Sequence, residues 1–273
     1  MRPEDLTVDI RSRTPWEALD LGLALIQQHR RAVYAAWLTA LLPALALAAI
    51  LGTVLGEFFG NSEGSSPQWR WQWQLAILVL WWLKPFYDRV LLLVLSRAVF
   101  GEMLRWRAVL RAFPDIFWRS GLLRDLSWRR FNPLRSFHIP VWQLEGLKEK
   151  ARRRRFQVLG RNASGTAFSL LFVCSIFEQA LFLGALIFVY ILIPPEFASS
   201  SFEAFFSESA WPTALISAGF LFAISTIEPL YAAAGFSLYL NRRAELEGWD
   251  IELGFRTLAA RLEQENSREK MAA

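Results

Sequence analysis

The chain is poor in the residues that build most catalytic and metal sites. Its 273 residues include one cysteine and two histidines, so neither an internal disulfide nor a cysteine-based metal cluster is possible. Cys174 lies inside an apolar run, which is typical of a small buried side chain. His29 and His138 lie in separate polar segments and give no histidine-based triad or metal site. We therefore expect no metal and no cofactor.

Sequence motifs for catalysis are lacking as well. There is no P-loop and no glycine-rich dinucleotide-binding pattern. GNSEG at 60–64 has the letters of the hydrolase motif G-x-S-x-G, but that motif works on a strand-to-helix turn with a partner histidine. Here it lies in a short loop between two apolar runs. We expect a protein that is not an enzyme.

We expect no cleavable signal peptide at the N-terminus. MRPEDLTVDIRSRTPWEALD is charged throughout and contains no short apolar core, so the first apolar run is expected to direct insertion itself. The rest of the chain is strongly apolar, with 54% hydrophobic residues and a mean hydropathy of +0.25. This composition predicts an all-α, polytopic helical membrane protein. Its net charge of +5 indicates contact with anionic lipid headgroups and not with nucleic acid.

Four apolar stretches divide this single helical membrane domain. Each is long enough to cross a bilayer, and they cover 32–58, 73–98, 165–193 and 212–240. Thr14, Pro15 and Glu17 form a capping-box pattern that predicts a helix start, and we expect 14–31 to lie in the membrane interface. Residues 99–163 are expected to form a basic cytoplasmic segment, and 241–273 a cytoplasmic tail.

The distribution of charge predicts the orientation. Residues 97–161 contain 16 Lys and Arg against 5 Asp and Glu, which leaves 14 of the 30 basic and 20 of the 25 acidic residues for the rest. The positive-inside rule places that segment in the cytoplasm, and an even number of crossings then places both termini there. We expect a bacterial inner-membrane protein. Within the segment we expect short surface helices that break at Pro114, and after Pro140 a helix that runs into the third stretch.

Charged residues within the apolar stretches are the candidate site. Lys84 lies 13 residues from Arg97, while Glu178 and Glu228 each lie 14 residues from the basic or polar edge of their stretch. At about 1.5 Å per helical residue all three lie roughly 20 Å deep. Equal depth and opposite charge predict that Lys84 pairs with Glu228 or with Glu178.

Further residues extend this candidate network. Asp88 and Arg89 lie one turn nearer the cytoplasm and are expected to join it. Pro85 and Pro229 are expected to kink their helices and to free backbone carbonyls near the charges. Two interpretations stay open, a structural set of ion pairs that fixes helix register, and a path for protons or ions.

A family resemblance is carried by the C-terminal stretch EPLYAAAGFSLYLNRRAELEGWDIELGF. It resembles the closing helix and tail of a broad group of bacterial membrane proteins, which includes the membrane domain of glycerophosphodiester phosphodiesterases and families of unknown function. The matching positions are Pro229, Leu238, Tyr239, Arg242, Arg243, Glu247, Gly248, Asp250 and Glu252.

The rest of the chain fits the same group. TPWEALDLGLALIQQHRR is similar to its entry helix, and the whole chain is similar to uncharacterised proteobacterial inner-membrane proteins. In some of these a soluble domain follows the helical part. The resemblance implies an architecture and no chemistry, because the catalytic residues of a phosphodiesterase are not present.

These observations lead to one expected function and one alternative. We expect a scaffold or subunit of an envelope-associated complex, with a protein partner in the membrane or cytoplasm. The alternative is a small transporter or ion-coupled channel that uses the charges at mid-membrane. Six arginines are the candidate residues for headgroup contact or docking, namely Arg152, Arg153, Arg154, Arg155, Arg242 and Arg243.

Overall fold

The computed structural model describes residues 13–59, 68–118, 122–147, 149–192 and 210–248. Within these ranges the chain forms helices and no strand, as the all-α prediction requires. A 3-10 turn at Trp128–Phe131 precedes the sixth α-helix. The helices are α1 Pro15–Phe59, α2 Gln68–Trp82, α3 Lys84–Ala98, α4 Trp106–Trp118, α5 Leu122–Leu126, α6 Arg135–Gln143, α7 Glu149–Gly160, α8 Ser164–Leu192 and α9 Ala210–Glu247.

Three of the described helices, α1, α8 and α9, are long and apolar enough to cross a membrane. They coincide with the first, third and fourth apolar stretches of the sequence. Among the described helices, α8 makes extensive contacts only with α9. The rest of the α8 surface exposes large apolar side chains, including Phe172, Phe188 and Ile191. A long helix with large apolar side chains around most of its circumference matches a membrane environment.

The second apolar stretch is divided into two helices. α2 ends at Trp82 and α3 begins at Lys84, so that Leu83 lies in a turn between them. Pro85 causes this break because it has no N–H to donate to the carbonyl of Trp81. Each helix has 15 residues, fewer than the roughly 20 that cross a bilayer alone. The interruption lies at the kink that was predicted at Pro85, and it divides the stretch 73–98 between two helices.

α1 begins as predicted. The backbone N–H of Thr14 donates to Glu17 Oε2 at 3.2 Å, and the N–H of Glu17 donates to Thr14 Oγ1 at 3.3 Å, which is a complete capping box. The helix continues to Phe59 through a kink at His29, where φ is −112° and ψ is 24°. This kink falls two residues before the end of the predicted interfacial helix.

Close packing of α1 on α9 holds the N-terminal part of α1. A Cβ atom added to Gly22 would lie 2.7 Å from backbone atoms of Ala234, so only glycine permits this approach. Trp37 of α1 lies deeper and packs edge-on against Tyr87 of α3, with ring centroids 5.0 Å apart. Its indole N–H donates to Ser225 Oγ of α9 at 3.1 Å. Together these contacts join α1, α3 and α9 into one core.

The basic segment does not lie wholly on the surface. α6 packs between α3 and α9, and its Arg135, Phe137 and Ile139 are buried. Ser136 of α6 meets α9 at Gly235, where an added Cβ would lie 2.8 Å from the Ser136 carbonyl carbon. α6 is therefore buried among the other helices, unlike the surface helices that were expected within the segment 99–163.

The proline positions in this segment also differ from the predictions. Pro114 lies inside α4 and Pro140 inside α6, and neither ends its helix. The helix expected after Pro140 is divided, because Gly146 turns the chain with a φ of 59° before α7 begins. A second turn at 161–163 separates α7 from α8.

Candidate functional site

Lys84 occupies the centre of a buried charge cluster. Its Nζ lies 2.7 Å and 2.6 Å from the two carboxylate oxygens of Glu178, and 3.1 Å from Glu228 Oε2. The three residues expose 8%, 8% and 2% of their surface. They come from α3, α8 and α9, so the structure brings together the three charges that the sequence placed at one depth.

Arg135 of α6 completes the cluster. Its Nε lies 2.7 Å from Asp88 Oδ2, and its Nη2 donates to Glu228 Oε1 at 2.8 Å. Glu228 therefore bridges two cations, while Glu178 has Lys84 as its single cationic partner among the described side chains. Burying carboxylates costs several kcal/mol each unless cations lie this close. The cluster consequently joins α3, α6, α8 and α9.

Arg89 belongs to a different ion pair. Arg89 was predicted to join the network of Lys84, but it is instead fully buried against the carboxylate of Asp125 on α5. Adjacent positions on a helix point about 100° apart, so Asp88 and Arg89 face different neighbours. Arg129 adds a second cation, 3.6 Å from Asp125 Oδ1. The Gln143 amide donates to the carbonyl of Arg89 at 3.0 Å and ties α6 to this second pair.

Arg130 caps the break between α2 and α3. Its Nη1 and Nη2 donate to the carbonyls of Trp82 and Trp81, each at 2.6 Å, and its guanidinium lies 3.7 Å and 4.9 Å from the centroids of the two indole rings. Backbone carbonyls are thus free near Pro85, as predicted, and they accept hydrogen bonds from the guanidinium of Arg130. α9, by contrast, continues without a break through Pro229.

The charge of Arg130 has no carboxylate within 4.0 Å among the described residues. Only 6% of this residue is exposed. Desolvation by burial, together with the nearby cation of Arg135, lowers the pKa of Arg130 to about 10. The residue stays protonated at neutral pH, held by carbonyl dipoles and aromatic faces.

A cavity of about 290 Å³ adjoins the cluster. It lies between α2, α8, α9 and the chain around the 3-10 turn, and both charged and apolar groups face it. The lining residues are Trp81, Lys84, Arg130, Phe131, Asn132, Arg135, Leu171, Cys174, Ser175, Glu178, Ile227, Glu228 and Tyr231.

A second ionic cluster joins α7 to the end of α9. Arg155 donates to Glu145 at 2.9 Å and to Glu247 at 2.7 Å, and the Tyr239 hydroxyl donates to Glu145 at 2.7 Å. Burial by itself lowers the pKa of Arg155, but the hydrogen bonds that Arg155 donates to both carboxylates raise this pKa above its ordinary value. Glu247 thereby connects the end of α9 to the basic segment.

The six candidate docking arginines separate into two groups. Arg155, Arg242 and Arg243 form ion pairs with carboxylates of the chain itself, at 2.6–3.0 Å. Arg152 is half-buried, whereas Arg153 and Arg154 are exposed on α7. Asp250, Glu252 and the GNSEG stretch lie outside the described residues. Arg153 and Arg154 are therefore the candidates that remain open to solvent or to a partner.

His138 is buried beside the cluster and performs a packing role. Its ring stacks on Phe156 with centroids 4.1 Å apart and hydrogen-bonds to the Asn132 amide at 2.9 Å. Burial lowers the pKa of His138 to about 4. The neutral ring accepts the amide hydrogen at neutral pH.

Sequence reasoning missed three residues of these clusters, Arg130, Arg135 and Asp125. All three lie in the segment that was assigned to the surface, where arginine is ordinary. The apolar residues that alternate with polar ones in RSFHIPVW were the available signal, because a surface helix of this length would not need Phe137, Ile139 and Val141.

The described part of the chain holds no group of three His, Cys, Asp or Glu side chains placed for a metal ion. The cluster itself contains the carboxylates of Asp88, Glu178 and Glu228, the amine of Lys84 and the guanidinium of Arg135. The chain matches no protein-family model, no curated protein and no solved structure. The family resemblance of the sequence therefore stays a prediction.

Proposed function

We propose that this chain is a non-enzymatic integral protein of the bacterial inner membrane, which acts as a scaffold or subunit of an envelope-associated complex. The observation that carries the proposal is the mutual neutralisation of Lys84, Arg135, Glu178 and Glu228 at 2.6–3.1 Å. Charges that pair with one another across four helices fix the arrangement of those helices and leave none of these groups poised for acid–base chemistry.

The proposal includes a four-crossing topology with both termini in the cytoplasm. α1, α8 and α9 each make one crossing, and α2 with α3 together make the other. Arg130 supports this by satisfying the two carbonyls at the break, because unpaired backbone carbonyls within a membrane cost several kcal/mol. The excess of basic residues in 97–161 supports the cytoplasmic side.

Docking is assigned to α7. Arg153 and Arg154 are exposed on this helix, while Arg155 next to them fixes it to α9 through Glu247. A charged surface on an anchored helix suits an acidic protein partner. α4 instead exposes Trp118 and Phe117 beside its arginines, which suits contact with the lipid surface.

The experiment is a size measurement of the tagged chain, expressed in its own membrane and extracted in a mild detergent. We expect a species well above the 31.4 kDa of the chain. Arg153→Glu combined with Arg154→Glu should dissociate it. The matched control, Arg107→Glu with Arg111→Glu on α4, changes the same charge and should leave the complex intact. A monomer in the wild type, or a complex unaffected by the α7 change, contradicts the docking role.

Transport is the second candidate, favoured by the cavity that adjoins Lys84, Glu178 and Glu228. A water-filled cavity beside paired carboxylates is what a proton path requires. The test is proton flux into liposomes that contain the purified protein. A flux that Glu228→Gln abolishes, in a variant that still elutes as folded protein, supports transport over the scaffold role. The absence of flux in the wild type rejects transport.

A further inference from the structure

The inference starts from Arg130, whose positive charge is buried without a carboxylate partner among the described residues. A guanidinium carries five N–H donors. Two of them bond to the carbonyls of Trp81 and Trp82, and Nε has no acceptor in the described part of the protein. A buried cation with spare donors is stabilised by an anion that can accept several hydrogen bonds.

Charged side chains of both signs line the cavity beside Arg130. Lys84, Arg130 and Arg135 line it against Glu178 and Glu228. Asp88 neutralises Arg135 from behind and does not line the cavity. An anion beside Arg130 therefore meets a cation whose charge is not already satisfied by a carboxylate. A tetrahedral phosphate suits the fork of an arginine better than a single carboxylate oxygen does.

The surroundings of the cavity indicate how such an anion arrives. Phe131 at its edge is 74% exposed, and Leu171 and Ser175 of α8 form the facing wall. α8 exposes Phe168 and Phe172 alongside, and this helix is a candidate membrane span. A ligand that enters here has an apolar helix surface for its tail and a cationic cavity for its head.

We propose that this cavity binds the phosphate headgroup of an anionic phospholipid, with Arg130 as the main contact and with the acyl chains along α8. The volume of about 290 Å³ accommodates one headgroup. This binding goes beyond the scaffold role and is independent of the docking surface on α7.

The experiment is a titration of the purified chain in detergent with phosphatidylglycerol, followed by native mass spectrometry, with phosphatidylcholine and inorganic phosphate as parallel probes. Arg130→Gln removes the cation. Ser175→Phe fills the cavity from α8 and leaves Arg130 in place, so it tests the site even if the first variant is unstable. The matched controls are Arg129→Gln, next to Arg130 but outside the cavity, and Gly184→Leu, where an added Cβ on α8 meets nothing within 4 Å.

We expect one phosphatidylglycerol per chain at saturation, weaker binding of phosphatidylcholine, and no binding of inorganic phosphate alone. Arg130→Gln and Ser175→Phe should each weaken phosphatidylglycerol binding by about tenfold or more, the effect of losing a charge-assisted hydrogen bond. Both controls should bind as the wild type does. Equal binding by all variants, or an absence of saturable binding, overturns the proposal. If inorganic phosphate binds the wild type but not Arg130→Gln, and phosphatidylglycerol does not bind, the cavity takes free phosphate and the proposed binding of a phospholipid is wrong.

Discussion

The ion pair of Lys84 and Glu178 allows a quantitative test of the structural role of the cluster. The two replacements are Lys84→Met and Glu178→Leu, made singly and together. They are not equivalent, because Glu178 has one cationic partner among the described residues, whereas Lys84 also contacts Glu228 at 3.1 Å. Glu228 in turn keeps Arg135 when Lys84 is removed.

The expected magnitudes follow from these contacts. Lys84→Met leaves the Glu178 carboxylate buried and unpaired, which costs about 3–5 kcal/mol of unfolding free energy. Glu178→Leu costs less, about 1–2 kcal/mol, because Lys84 keeps Glu228 and loses only its hydrogen bonds to Glu178. The double variant replaces the pair by apolar groups of similar size, so it should be more stable than Lys84→Met alone by about 2 kcal/mol or more.

The assay is equilibrium unfolding of the purified protein in detergent micelles, with helix content as the signal. All four proteins of the cycle are measured under the same conditions, and the coupling energy is taken from the difference. Glu228→Leu serves as a comparison. It removes one carboxylate contact from each of two cations, Lys84 and Arg135, and should therefore cost more than Glu178→Leu, which removes a contact from Lys84 alone. The difference between the two losses of unfolding free energy then shows whether Glu228 stabilises more cations than Glu178 does.

Two results would refute this reasoning. If Lys84→Met unfolds with the wild-type free energy, Glu178 is hydrated in the absence of the lysine and the cluster is not a dry set of ion pairs. If the double variant loses the sum of the two single losses, the residues do not interact and their proximity has no energetic consequence.

Three further predictions concern other parts of the molecule. Gly235→Ala should lower the unfolding free energy by about 1–3 kcal/mol, because the added methyl group meets Ser136 of α6, and an unchanged stability would show that α6 is not packed there. Acidification from pH 6.5 towards pH 4 should destabilise the protein by up to about 3 kcal/mol. The folded state holds His138 at a pKa of about 4, below its ordinary 6.5, and therefore binds fewer protons than the unfolded state in this range. His138→Phe should remove this part of the pH dependence. Arg155→Gln should lower the unfolding free energy by about 1–3 kcal/mol and release α7, and protease cleavage of α7 reports this release. Arg153→Gln on the exposed face should change the unfolding free energy by less than about 0.5 kcal/mol.

Much of the fold follows from the sequence because its signals are local. The capping box of Thr14 and Glu17 forms as predicted, at 3.2 Å and 3.3 Å. The long apolar runs that became α1, α8 and α9 need only composition and length to be recognised.

The errors share one physical cause, which is competition between local propensity and a distant partner. Pro85 was expected to kink a helix, but Arg130 stabilises a full break by bonding to the freed carbonyls. α6 reads as a surface helix by its polar content, yet Arg135 finds Asp88 and Glu228 inside. Neither outcome is determined within a window of the sequence. The partners of Arg130 lie 48 and 49 residues away, and those of Arg135 lie 47 and 93 residues away.

The clamp between the two ends of the described chain has a consequence for biosynthesis. The Asn241 amide donates to the carbonyl of Arg13 and accepts from its N–H, across a separation of 228 residues. At about 5–20 residues per second the ribosome needs roughly 10–45 s to make that length. Throughout this interval α1 waits without the helix that covers its glycine-lined face. We expect a nascent-chain chaperone or the insertion machinery to shield that face until α9 emerges.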